Sequence, residues 1–226
     1  MLLHGFTQTG ASWEPVVRAL GPRYRALAPD LGTGPWEAEL DRLSALVPAG
    51  AVLTGYSMGG RLALGLALAG TTELRRLVLV SASPGLADGG ERAARRAADD
   101  ALAGRVEAIG TEAFAHEWAR QPLFEGQSPE AAAAAHADRA RREPGGLAAQ
   151  LRGLGTGTMP TLWDRLPELA IPVLLVVGER DAKFRAIAER MAGSIPSARV
   201  EVVAGAGHAV ALEQPAAVAE LISAGP

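Results

Sequence analysis

The chain has 226 residues, 48% of them hydrophobic and 21% charged, with a net charge of −3 and a pI near 5.9. That size and balance suit one sizeable globular domain and argue against binding to nucleic acid or to an anionic membrane surface. There is no cysteine, which excludes disulfides and thiolate metal sites and suits a reducing cytoplasm.

The first residues, MLLHGF, lack the basic and long apolar regions of a secretory signal, and no apolar run reaches the ~20 residues that a membrane helix needs. Met1-Leu2-Leu3 is the stub of a strand running into His4-Gly5-Phe6-Thr7-Gln8-Thr9-Gly10. Trp13, Val16, Val17 and Leu20 fall on one face of a helix from about Ser12. Arg25–Pro29 reads as a strand, and 36–46 repeats apolar residues at helical spacing. Ala51-Val52-Leu53-Thr54 is an apolar strand that turns through Gly55-Tyr56-Ser57-Met58-Gly59-Gly60 into an apolar helix ending near Ala69. Leu77–Val80 is the next strand, so the order to this point is β-α-β-α-β-α-β, the rhythm of a parallel sheet with helices on both faces.

The rhythm breaks between about Leu86 and Leu166. Helical segments are expected there at 91–104, 111–119, 129–142 and 146–153, the third entered by the capping sequence Ser128-Pro129-Glu130. Strands resume at 173–177 and 199–203, separated by a helix at 183–192 and followed by one from about Pro215 to Ile222. The expected division is a core of 1–85 and 167–226, with 86–166 as a helical lid placed at the C-terminal end of a strand, where open α/β sheets bind ligands.

Strand, G-x-S-x-G, helix is the context of a nucleophile elbow, with Ser57 at its tip. A serine needs a histidine to take its proton and a carboxylate to orient that histidine. In this chain order both should follow on loops after later strands. Asp181 and His208 stand in those places. Asp181 could instead simply cap the helix after it, and Glu179 is a rival for the acid. Of the other histidines, His116 and His136 lie on helical faces that look solvated, and His4 suits a loop-bracing role. An oxyanion site would take one backbone N–H from Met58, at the helix start, and one from Phe6. Arg61 is unusual because it lies one turn past Ser57 on the elbow helix, where an apolar residue would be ordinary.

LLHGF, GYSMGGRLAL, GERD and GAGH together resemble the α/β-hydrolase family. SASPGLADGGERAARRAADD, FAHEWARQPLF, GLAAQLRGLGTGTMPTLW and GERDAKFRAIAERM narrow the likeness to its 2-succinyl-6-hydroxy-2,4-cyclohexadiene-1-carboxylate (SHCHC) synthases, enzymes of menaquinone biosynthesis. The resemblance implies a cytoplasmic lyase rather than a hydrolase. Its substrate would be the tricarboxylate 2-succinyl-5-enolpyruvyl-6-hydroxy-3-cyclohexene-1-carboxylate, from which it expels pyruvate after proton abstraction by a Ser57-His208-Asp181 triad. It implies no metal and no organic cofactor. By position it also implies Arg61, Arg95 and Arg139 as anion-binding arginines, and Tyr56 and Trp118 as pocket residues. Composition alone would put both lid arginines on a solvated face and Trp118 in the lid core, the more so because 21 of the 22 basic residues are arginine, Lys183 being the exception.

Family members carry strands ahead of the one leading into HGF, which here is only Met1–Leu3, so a sheet of about six strands is expected, with Arg25–Pro29 at an exposed edge. Asp30–Pro35 replaces the family's usual DLPGHG-type loop and is expected to reshape one rim of the pocket. Two other functions fit the same sequence: a serine carboxylesterase or carbon–carbon hydrolase, and a non-catalytic ligand-binding relative. Whether the chain is a monomer or a homo-oligomer is open.

Overall fold

A computed structural model describes residues 1–224. Five parallel strands lie side by side in chain order: β1 (Leu2–Leu3), β2 (Ala51–Tyr56), β3 (Leu74–Val80), β4 (Val173–Gly178) and β5 (Ala198–Val203). β3 and β4 are almost wholly buried and nearly all apolar, as central strands covered on both faces must be. Side chains alternate between the two faces. Leu77, Leu79, Val173, Leu175 and Val177 join the core under α2 (Trp36–Ser44), α3 (Met58–Ala69) and α7 (Ala182–Ala192). Val78, Val80, Leu174 and Val176 join the opposite core, under α1 (Glu14–Leu20) and α9 (Pro215–Ser223). β5 is the edge, and its Val202 is exposed.

The sheet has five strands, not about six, because Arg25–Pro29 forms no ladder. Its one backbone tie to β1 is Leu2 N–H to Leu27 O at 2.8 Å. β1 is two residues long and offers little to pair with, and Pro29 has no N–H to donate. The peptide that donates to Leu27 also accepts Thr54 N–H through Met1 O, and a trans peptide points these two groups in opposite directions. The 25–29 segment therefore flanks β1 on the side away from β2. The chain thus crosses from one side of β1 to the other between this segment and β2, leaving a crevice where the loops after β1 and β2 diverge.

The helices between β3 and β4 are α4 (Gly89–Ala119), α5 (Pro129–Arg139) and α6 (Pro144–Leu154). The two helices expected at 91–104 and 111–119 form one element kinked at Gly110, whose φ of 79° a glycine adopts freely. α4 and α6 enclose a third core of Ala103, Val106, Phe114, Leu147, Ala148 and Leu151. Asp88 Oδ1 caps α4 by accepting from Glu91 N–H, and Ser128 Oγ caps α5 through Ala131 N–H. The final short helix before α9 is α8 (Val210–Glu213).

Packing is close where α3 meets β1. A side chain at Gly59 would collide with the carbonyl oxygens of Leu3 and His4, and one at Gly55 with the backbone of Gly59. Gly59→Ala is therefore expected to cost about 3 kcal/mol, the upper end for overpacking a filled site, measured as a drop in urea-unfolding free energy.

Candidate active site

The loops after β1, β2 and β3 each hold a non-glycine residue at positive φ: Thr7 (71°), Ser57 (51°) and Ser81 (47°). Among the described residues these are the only three, and each conformation stores about 1–3 kcal/mol of strain. They gather at the C-terminal end of the sheet. Ser57 N–H is anchored to Val80 O at 2.9 Å and Ser81 N–H to Val176 O at 2.8 Å, so neighbouring strands hold both turns.

His208 Nε2 lies 3.3 Å from Ser57 Oγ, and His208 Nδ1 lies 2.7 Å from Asp181 Oδ2. His208 and Asp181 are both buried. Asp181 also caps α7, its Oδ1 accepting from Phe184 N–H at 3.2 Å, so the capping role and the contact to His208 coexist on separate oxygens. Glu179 is occupied elsewhere, accepting from Gly205 N–H at 2.9 Å. Phe184, Tyr56 and Phe124 surround the imidazole of His208, with ring centroids 4.5, 5.4 and 6.3 Å from it. The N–H groups of Phe6 and Met58 find no acceptor among the described residues, as expected for a turn amide and for the first residue of a helix.

Ser57 and His208 open onto a cavity of about 390 Å³. Phe6, Met58, Arg61, Arg95 and Trp118 line it with them. Arg61 donates to Thr156 Oγ1 and, at 2.9 Å, to Leu154 O, while its buried Nε has no partner. Burial first, and then the neighbouring Arg95, push its pKa down to about 10, opposed by Asp99, so it stays a cation at neutral pH. Arg95 Nε is held by the buried carboxylate of Asp99 at 2.8 Å. Trp118 packs edge-on against Phe6 and stacks on Phe114, with centroids 5.1 and 5.6 Å apart.

Arg139 and Tyr56 do not line the cavity. Arg139 is buried and donates from Nε to Thr7 Oγ1 at 3.0 Å, reaching the loop that carries Phe6. Its neighbour Asp138 accepts from Thr9 N–H at 2.7 Å. Tyr56 is buried in the core behind His208, where burial pushes its phenol well above the ordinary value. Residues 30–35 do not line the cavity either, contrary to the expected effect on its rim. That loop is tied down instead, with Glu39 accepting from Gly32 N–H and Gln150 donating to Leu31 O and Gly32 O.

Several lining residues were not singled out from the sequence. Ser81 is fully buried with an unpartnered Oγ, and Ser83, Asp99, Lys183 and Ile187 line the cavity as well. The run Ser81-Ala82-Ser83 at the end of a strand was a usable signal, as was Asp99 one helical turn after Arg95. Nothing local in the sequence marks Lys183 or Ile187.

The chain matches the family described as "Alpha/beta hydrolase family" over residues 1–221. It belongs to the α/β-hydrolase family. Relatives within that family are named as SHCHC synthases. A Bacillus subtilis (strain 168) protein whose name places it among them is 38% identical over 98% of this chain and 87% of its own length. A Salmonella schwarzengrund protein carrying the synthase name is 35% identical over 76% of this chain and 66% of its own. The structure of MenH from S. aureus superposes with a TM-score of 0.93 at 30% identity, covering 98% of this chain and 90% of that one. The chain is thus an enzyme of the SHCHC synthase group on an α/β-hydrolase scaffold. Among the described residues no helix is long and apolar enough to cross a membrane.

His4 braces the loop that bears Phe6. Its Nε2 accepts from Leu31 N–H at 2.9 Å and its Nδ1–H donates to Gly5 O at 2.8 Å, so the neutral ring fills both partners. Burial lowers its pKa from 6.5 to about 4. Between these values the unfolded chain binds a proton that the folded chain does not, so stability falls as pH drops through that window. His4 should account for about 3 kcal/mol of loss between pH 6.5 and 4, and His4→Gln should flatten the urea-unfolding profile there.

Proposed function

We propose that this enzyme is a SHCHC synthase, eliminating pyruvate from 2-succinyl-5-enolpyruvyl-6-hydroxy-3-cyclohexene-1-carboxylate in menaquinone biosynthesis. The observation that carries the proposal is the 3.3 Å approach of His208 Nε2 to Ser57 Oγ at the wall of a cavity that two guanidinium groups also line. The names of its relatives point the same way.

Ser57 acts as a general base. Its oxygen takes the ring proton as its own hydroxyl proton passes to His208 Nε2, and Asp181 stabilises the imidazolium that forms. The electron pair of the broken C–H bond becomes the new ring C=C. The C–O bond to the enolpyruvyl group then breaks, and its electrons leave with enolpyruvate. The proton on His208 returns to the departing group, which tautomerises to pyruvate. No acyl-enzyme forms, and no redox partner is required. Phe6 and Met58 N–H face the negative charge that builds on the substrate as the proton leaves, which is where preorganised donors lower a barrier.

The substrate carries three carboxylates. Arg61 and Arg95 are fixed in the cavity by Thr156, Leu154 and Asp99, so binding them costs little further ordering. Arg61 also keeps a buried, unpartnered Nε. Arg139 acts from outside the cavity, holding Thr7 and with it the Phe6 turn. A neutral ester would give these two cations no anionic group of its own to bind, which disfavours the carboxylesterase reading of the same triad.

The deciding assay follows diene absorbance and released pyruvate together. Wild type should give both in equal amounts, and Ser57→Ala should lose roughly 10³-fold or more in kcat with its fold intact. A folded wild type without turnover, or hydrolysis of simple esters in place of elimination, would refute the proposal. Arg61→Ala and Arg95→Ala should each raise KM by roughly ten-fold or more, and Arg61→Lys should recover only part of the loss because an ammonium cannot make the guanidinium's forked contacts.

A further inference from the structure

Two of the four histidines, His116 and His136, take no part in the site above, yet they converge on one point. Glu112 and His116 are one turn apart on α4 and so share a face. His136 reaches them from α5, in the last turn before Asp138 and Arg139. His116 Nε2 lies 3.4 Å and His136 Nε2 3.3 Å from the same oxygen, Glu112 Oε1, and the two rings are 4.7 Å apart. One ligand atom from each of the three residues lies within 4.8 Å of the others.

Two imidazole nitrogens and one carboxylate oxygen form a donor set suited to a borderline transition-metal ion, with water as a fourth ligand. The hard ions Ca²⁺ and Mg²⁺ favour all-oxygen sites instead. Glu112 and His116 are well exposed and His136 is partly so, leaving an entry path and room for that water. We infer that Glu112, His116 and His136 bind a divalent transition-metal ion, Zn²⁺ foremost, which ties α4 to α5. Each histidine ligates as the neutral ring, so any proton it carries is released to solvent on binding. The site is remote in role from the triad. Its effect is mechanical, because α5 carries the Asp138 and Arg139 contacts to Thr9 and Thr7, and α4 carries Trp118.

The test is calorimetric titration of the full chain with ZnCl₂, alongside Co²⁺ absorption in the visible range and thermal unfolding with and without Zn²⁺. Wild type should bind one ion, develop the Co²⁺ bands of a low-coordinate nitrogen and oxygen site, and unfold at higher temperature with Zn²⁺. His116→Gln, His136→Gln and Glu112→Gln should each weaken binding roughly ten-fold or more, while circular dichroism shows an unchanged fold. MgCl₂ in place of ZnCl₂ should do nothing. No saturable Zn²⁺ binding to the folded wild type would overturn the inference and leave the cluster as two histidines beside one carboxylate. Binding of equal affinity in the His116→Gln, His136→Gln double variant would overturn it too.

Discussion

The close approach of Gly59 to the carbonyls of Leu3 and His4 is the contact on which the site depends. It brings the start of α3 against the end of β1 with no side chain between them. That puts the Met58 amide, at a helix N-terminus, beside the loop that carries the Phe6 amide. The same proximity forces Ser57 into a strained turn held by Val80 O, which keeps its hydroxyl at the cavity and near His208. Any side chain at position 59 would displace Ser57, the Met58 amide and the Phe6 loop together.

Strain is distributed rather than confined to the serine. Thr7, Ser57 and Ser81 sit on successive loops of adjacent strands, each in a conformation that costs energy. The surroundings fix each of them differently: Arg139 holds Thr7 by its hydroxyl, while β3 and β4 hold Ser57 and Ser81 by backbone hydrogen bonds. Buried central strands with continuous apolar sequence supply the rigidity that makes such strain sustainable.

Much of this was legible in the sequence because it is local. The apolar runs of β2, β3 and β4, the glycines of the elbow, and the chain order of Ser57, Asp181 and His208 all follow from neighbouring residues and strand-end placement. The Arg25–Pro29 strand was misread because strand propensity says nothing about whether a partner long enough to pair with exists, and β1 is only two residues. The separate fates of the arginines were not legible either. Arg61, Arg95 and Arg139 belong to one residue type, yet Arg61 points into the cavity against Thr156, Arg95 is steered by Asp99, and Arg139 is spent on Thr7. For Arg61 and Arg139 those outcomes depend on partners 93 to 132 residues away, which no window of sequence contains, whereas Asp99 stands only one turn from Arg95. Lys183 was recognised only as a compositional oddity, although the fold brings it to the cavity wall.

The contacts from Asp138 to Thr9 and from Arg139 to Thr7 bear on how this scaffold can diversify. A helical layer that merely roofed a site could be exchanged between relatives as a module, altering specificity while the chemistry beneath stayed intact. Here the roof also braces the floor, since α5 grips the turn that carries the Phe6 amide. A chimera that imported another relative's helices would lose the contacts that hold Thr7 and Thr9 in place.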